Sequence, residues 1–450
     1  MTELLGAARS IVQRGRRGED LEAFLTHSRT FSVKSFDGEV ESLTSAEPRG
    51  AGVRVVSEGR VGFAYSTDLS GDGLDALVEQ ARTNSRYASD DEAAGIAPGW
   101  DAAPKDVPGL VDDSFDEASP DDKVAFTLEL ERVTKSADPR VRTVEDTVYS
   151  DEASEVALAT STGIAGVFRV TEAWCYSVAI ATEGDDTEIG FDFGLARGLS
   201  GLDAESVGEA SARRATSVLG ARKIPSAHMP VIFDPYTAGQ FLGVITGVLT
   251  AEAVQKGRSL FAGRLGQVVA STALTLWDDG RFPGAPGTSP WDAEGVPTGR
   301  TEIITDGVLS SFLYDTTSAR REDRSSTGNA ARAGFRSLPS AAPTNFAFDP
   351  TGESRDELLR AAGRAFLVQD FHGVHSGANP ISGDFSVGAT GLLVEDGALG
   401  QPVKEVTIAA PMLDILKNIT AVADDRRWLP FGGSLGGATT LVAEMTVAGS

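Results

Sequence analysis

Apolar residues recur at helical spacing for only the first dozen positions, Leu4, Leu5, Ala8, Ile11 and Val12, and then switch to a period of two. Thr2 is placed to cap that first helix. Strand-like runs follow over 21–43 and 50–65, with turn signals at Asp37-Gly38 and Glu58-Gly59. The helical period returns over 74–86, where Leu74, Leu77, Val78 and Ala81 share a face. Ser119-Pro120-Asp121-Asp122 starts another helix, with a cap, a proline at the first position and acids in the first turn. Strands are expected over 141–149 and 155–180, and a helix from Asp203 to Gly220. The stretch 89–114 reads as a long surface connection rich in Asp, Ala, Gly and Pro.

A junction is expected near 221–229. Beyond it, MPVIFDP reads as a buried strand entering a helix that Asp234 caps and Pro235 begins, with helix continuing over 236–254 and an apolar face packed inward. Hairpins turn at Asp306-Gly307 and Asp396-Gly397, and short helices are expected over 353–362 and 412–421. The loops 278–297 and 320–343 are long enough to suggest function or mobility. Many strands with a few helices in irregular order define an α+β chain. We expect two domains: 1–222 with a mixed α/β sheet, and 223–450, β-rich with a few helices.

The formal net charge of −25 repels phosphate backbones, so nucleic acid is not expected as a partner. The basic RGRRG at Arg14 to Gly18 lies beside acidic neighbours and reads as a solvated helix end. No apolar run approaches the ~20 residues of a membrane span. The N-terminus lacks a basic region followed by an apolar one, so a cytoplasmic protein is expected. A single cysteine, Cys175, excludes an intrachain disulfide and a Cys-rich zinc site.

Motifs for catalysis are scarce. There is no G-x-S-x-G elbow and no phosphate loop ending in Gly-Lys-Ser/Thr. Cys175 sits in a strand-like run and reads as a small core residue. Gly432-Gly433-Ser434-Leu435-Gly436-Gly437 lacks a lysine and suits tight turns or the close approach of another chain. Of four histidines, His372 and His375 are three apart in a Gly- and Pro-rich segment. That reads as exposed loop histidines, with Asp384 as an ad hoc third group. Asp185-Asp186, Asp278-Asp279 and Asp424-Asp425 read as solvated loop pairs.

Three segments carry a resemblance. Lys256-Gly257-Arg258-Ser259-Leu260-Phe261-Ala262-Gly263-Arg264-Leu265-Gly266-Gln267 is the strongest. Asn379-Pro380-Ile381-Ser382-Gly383-Asp384-Phe385-Ser386 with Gly388, Ala389 and Gly391 is the second, and Pro402 to Ala409 (PVKEVTIA) the third. Together with KSFDGEVES and GAGVRVVSEGRVGFAYSTDL near the N-terminus, they resemble the TldD/PmbA family, historically called modulators of DNA gyrase. In that family's catalytic branch a helix before the first segment carries HExxxH, whose histidines and a distant cysteine hold zinc. The corresponding positions here are Leu242, Gly243 and Gly247, and the C-terminal GGSLGGATT lacks the cysteine. The resemblance therefore implies a metal-free subunit with no catalytic residues of its own. Its partner would be a TldD-type chain carrying HExxxH and the zinc, and its substrates small, unfolded or modified peptides. Two alternatives stay open: a self-sufficient homodimeric hydrolase using His372, His375 and Asp384, and a regulator that binds gyrase or a peptide.

Overall fold

The computed structural model describes residues 2–429 and 433–449. Up to residue 196, every strand joins one antiparallel sheet: β1 (Glu19–Phe36), β2 (Glu39–Ala46), β3 (Arg49–Ser57), β4 (Arg60–Ser66), β5 (Val141–Thr160), β6 (Ala165–Glu183) and β7 (Asp186–Ala196). Their order is β4-β3-β1-β5-β6-β7, with β2 continuing on the edge of β1. Helices α1 (Glu3–Val12), α2 (Gly71–Ser85), α3 (Pro120–Ser136) and α4 (Ala204–Ser217) cover one face. Alternation along β1 explains this layering. Leu21, Ala23 and Leu25 pack under α1 and α2, while their neighbours Glu22 and Phe24 point the other way, at loops of the second half. The predicted caps form: Thr2 accepts from Leu5, Ser119 and Asp122 close a capping box, and Asp203 accepts from Glu205 and Ser206.

The second half contains β8 (Ala227–Phe233), α5 (Pro235–Thr246), α6 (Ala251–Gln255), β9 (Leu276–Asp279), β10 (Arg300–Thr305), β11 (Val308–Leu309), α7 (Thr316–Arg321), β12 (Ala330–Ala331), β13 (Ser340–Ala341) and β14 (Asn345–Phe348). It continues with α8 (Arg355–Ala361), β15 (Ala365–His372), α9 (Val374–Gly377), β16 (Ala378–Asn379), β17 (Asp384–Glu395), β18 (Ala398–Pro411), α10 (Met412–Asn418), β19 (Ile419–Val422), β20 (Arg427–Leu429), β21 (Ser434–Gly437) and β22 (Thr440–Ala448). Strands β15-β8-β22-β18-β17 form a sheet that closes on itself, because β17 also pairs with β15. A second sheet runs β11-β10-β9-β14-β21-β20. The largest core lies among these sheets and α5, with Phe241, Leu242, Ile245, Phe261 and Phe346 fully buried. The whole is an α+β fold.

Several expectations change. The four predicted hairpin turns hold, with φ of 48° to 52° at Asp37, Glu58, Asp306 and Asp396, each followed by a positive-φ glycine. The 141–149 and 155–180 runs are instead two long strands that turn at 161–164. β7 had no sequence counterpart. The 236–254 helix breaks after Thr246 into a 3-10 turn, Gly247–Leu249, before α6. The 412–421 helix ends at Asn418, where β19 begins. The 89–114 connection has no regular structure before Phe115, yet buries Ile96, Ala97 and Leu110.

Candidate functional site

Helix α5 carries the positions at which the resemblance locates a lost metal motif. Its N-terminus is held from three directions. Asp234 Oδ1 accepts from the Thr237 backbone N–H at 2.8 Å, Asp234 Oδ2 accepts from Arg214 of α4 at 2.6 Å, and the Thr237 hydroxyl donates to the Val368 carbonyl of β15. Leu242 faces the core with no exposed surface, whereas Gly243 and Gly247 lie on the outer face. None of these three side chains has an atom that binds a metal or moves a proton. Beyond them, strand β21 lies directly on the helix. A Cβ at Gly437 would strike the Pro235 carbonyl and stand 2.6 Å from Gly239 N, one at Gly239 would strike Leu429, and one at Gly243 would stand 3.1 Å from the Leu435 side chain. The close approach expected of the glycine-rich tail is thus to a helix of its own chain; Gly432 lies outside the described residues.

The segments that carried the resemblance build framework around α5. In 256–267, Ser259 donates to the Val248 carbonyl within the 3-10 turn, Phe261 is fully buried, and Gly257, Gly263 and Gly266 take positive φ. In 379–391, the Asn379 side chain accepts from the backbone of Ile381 and Ser382. Gly391 there lets β17 approach so closely that a Cβ would strike the Leu367 carbonyl of β15. In 402–409, Lys404 reaches across to Asp186 (2.8 Å) and Glu188 of β7.

The histidines do not assemble as the hydrolase alternative requires. His372 is the last residue of β15 rather than a loop residue. Its Nε2 shares a hydrogen bond of 2.9 Å with Thr390 Oγ1, and its Nδ1 is 3.8 Å from Asp370. His375 lies exposed on the short helix α9, and Asp384 accepts instead from Ser382 at 2.6 Å. His27 pairs with Glu47, and His228 faces Thr446 and Glu444. Among the described residues, no three His, Cys, Asp or Glu side chains are placed to share a metal ion. Cys175 is fully buried in β6, and burial pushes its thiol up to about 12.

Sequence reasoning missed the most strongly ionic part of the molecule. Arg54 of β3 bonds Glu22 of β1 at 2.6 Å and Glu294 at 2.9 Å, and Arg332 bonds the other Glu22 oxygen, all four groups being buried. Glu294 and Arg332 come from the loops 278–297 and 320–343, so this quartet locks both loops onto the first sheet. Burial opposes the Arg54 charge, but Glu22 and Glu294 outweigh it and raise its pKa. Asp278 is not a solvated loop acid. It ends a buried run on β9, and accepts from Thr344 N, Thr344 Oγ1 and Asn329 Nδ2. Burial pushes it up to about 7. Asp292, which accepts from three backbone N–H groups, is pushed to about 8 by burial and by Glu294. Of the other pairs, Asp186 of β7 is bonded by Lys404 of β18, and Asp425 accepts from the Thr439 backbone and hydroxyl.

An α+β chain with these sheets, this closed strand ring and this glycine-packed helix matches three consecutive family models: PmbA/TldA metallopeptidase domain 1 over 21–85, the central domain over 113–219 and the C-terminal domain over 226–449. The chain belongs to the PmbA/TldD family of metallopeptidases. It is 30% identical over 436 residues to Metalloprotease PmbA of Escherichia coli O157:H7, covering 96% of this chain and 93% of that one. Its fold is similar to that of TldE from Thermococcus kodakarensis (TM-score 0.90, 22% identity, 98% and 100% of the two chains). It is likewise similar to a Thermotoga maritima protein assigned as a modulator of a DNA gyrase (TM-score 0.89, 26% identity, 98% of each).

Proposed function

We propose that this chain is a metal-free, non-catalytic subunit of a peptidase whose zinc and general base reside in a TldD-type partner carrying HExxxH. The observation that carries the reading is the outer face of α5. Where the resemblance places two ligands and a base, Leu242 points into the core and Gly243 and Gly247 have no side chain to offer, so these residues do not fit a zinc ion. Catalysis by zinc needs several donors and an open position for water, and no rearrangement of these residues provides them. The glycine packing of β21 on α5 supports a helix kept as scaffold, with stability resting on shape rather than on ligands. The substrates of the assembled enzyme are small, unfolded or modified peptides, and the subunit works in the cytoplasm.

The test is metal content and peptidase activity of the purified chain, alone and mixed with its HExxxH-bearing partner. The expected result is an inert, metal-free chain alone and cleavage of an unfolded peptide by the mixture. Stoichiometric zinc or peptide cleavage in the lone chain would sink the proposal. Loss of such cleavage in His372→Ala would then move the chemistry to His372 at the end of β15.

A further inference from the structure

The first sheet ends at β7, which has β6 on one side only. The β6–β7 hairpin turns through Gly184 and Asp185, with Glu183 opposite Asp186 and Gly184 at φ 62°. A two-residue turn with glycine first closes on a hydrogen-bonded pair. Alternation from Asp186 then directs the backbone of Glu188, Gly190 and Asp192 toward β6, and that of Thr187, Ile189 and Phe191 outward. Ser211 confirms the parity: its hydroxyl accepts from Asp192 N–H at 2.9 Å and donates to the carbonyl of Ser177, the residue opposite on β6.

Charge on Asp186, Glu188 and Asp192, and the Arg427 bond to the Phe193 carbonyl, blunt part of this outward edge, but other such devices are missing from its sequence. Residues 186–196 hold no proline and no lysine, and the pairing with β6 has no bulge. The edge also does not face open solvent. Residues 187–191 form one wall of a cleft of about 420 Å³, and Asp370 and His372 of β15 with Thr390 of β17 form the other. Ile189 is 59% exposed at the rim, and Phe191 meets Tyr236 edge-on at 4.7 Å. The charges of the cleft are unequally matched. Glu188 is bonded by Lys404, and Arg214 by Asp234. Asp370 takes a hydrogen bond from the Phe371 backbone and feels Arg214 from a distance, but among the described residues its nearest ion-pair partner is His372, at 3.8 Å, which is too long for a hydrogen bond.

We infer that this cleft binds an extended peptide segment, which adds as a strand to β7 at residues 187–191 and sets a basic side chain against Asp370. Backbone pairing to a sheet edge supplies affinity with little dependence on sequence, and the Asp370 carboxylate supplies the preference. The inference takes the source of its ligand from the peptidase-subunit reading and goes beyond it by placing the peptide on this chain.

The test uses the isolated full-length chain and a fluorescein-labelled peptide, Thr-Val-Lys-Val-Thr-Val, followed by anisotropy. Saturable binding is expected. It should weaken about tenfold or more when alternate probe residues are N-methylated, and likewise in Ile189→Pro, because that N–H faces the cleft and not β6. Asp370→Asn, which keeps the shape of the side chain, should weaken binding of this probe about tenfold and leave a norleucine-for-lysine probe unaffected. Circular dichroism of Ile189→Pro verifies its fold, and Asp370→Asn carries the test if that variant does not fold. Absence of saturation, or indifference to both N-methylation and the two variants, would overturn the inference. So would a cleft that takes no probe but whose Ile189→Pro variant no longer pairs with the HExxxH-bearing chain, which would make the edge a subunit contact. The assay involves neither metal nor turnover, so its failure leaves the subunit reading to its own experiment.

Discussion

At Gly437 a single methyl group is too much. A Cβ there meets the backbone of Pro235 and Gly239, which cannot retreat without lifting the start of α5. Gly437→Ala should therefore destabilise by roughly 1–3 kcal/mol, the range of an overpacked core. Gly247→Ala is the control: its φ of −63° suits any residue, and among the described residues nothing lies within 4 Å of the new atom. It should be neutral or stabilising by up to about 1 kcal/mol. Urea midpoints of the two variants measure the contrast. Asp278 makes a second residue-scale prediction. Its folded pKa is raised from 3.8 to about 7, so the folded state binds more protons than the unfolded one across that window. The contribution to stability is full below the lower value and is lost as pH rises through the upper. Asp278→Asn should shrink the loss of stability between about pH 5 and about pH 8 by roughly 1–3 kcal/mol. An unchanged difference would show that Asp278 stays ionised throughout. The glycine-rich tail pointed to close approach at Gly437 but not to what approaches it, and the burial of Asp278 was not legible at all. Asp278-Asp279 looks like any acidic pair until Trp277 and Asn329 are seen around it, and a glycine's neighbours are invisible in one dimension.

Elements were more legible than residues where their signals are local. Caps at Ser119, Asp203 and Asp234, and turns at Asp37, Glu58, Asp306 and Asp396, need only nearby chain, and all formed. Elements whose composition answers to a distant neighbour were missed. Strand β7 does alternate, with Ile189, Phe191, Phe193 and Leu195 on one face, but the face toward α4 holds Gly190 and Gly194 where a buried strand face would be apolar, because a Cβ at Gly190 would enter the backbone of Arg214 and Ala215. The loops 278–297 and 320–343 looked mobile because nothing in their composition shows Glu294 and Arg332 reaching Arg54 and Glu22. Removing one charge from that quartet tests the lock. Arg54→Met leaves two buried carboxylates facing Arg332 alone, and should cost about 3–5 kcal/mol. Hydrogen exchange should rise first in 320–343. Exchange no faster than in the native chain would mean that the loop is held by its other contacts.

On the scale of the whole molecule, the two halves are joined by buried or half-buried ion pairs: Arg214 with Asp234, Lys404 with Asp186 and Glu188, Arg427 with Asp192, and the Arg54 quartet. They fix β7 beside β15, and so create the cleft along its edge. The amino-acid sequence by itself determined the α+β class, the caps and turns, the family membership through its framework motifs, and the absence of ligand side chains at Leu242, Gly243 and Gly247. Those are properties of residue identity and short-range periodicity. Only the tertiary structure decided where α5 ends, which glycines hold β21 against it, that Asp278 and Asp292 are buried acids, that His372 bonds Thr390 rather than joining His375 and Asp384, and that β7 leaves an edge open to a cleft. Each of these depends on groups far apart in the chain, whose burial and mutual distance exist only once the sheets have closed around them.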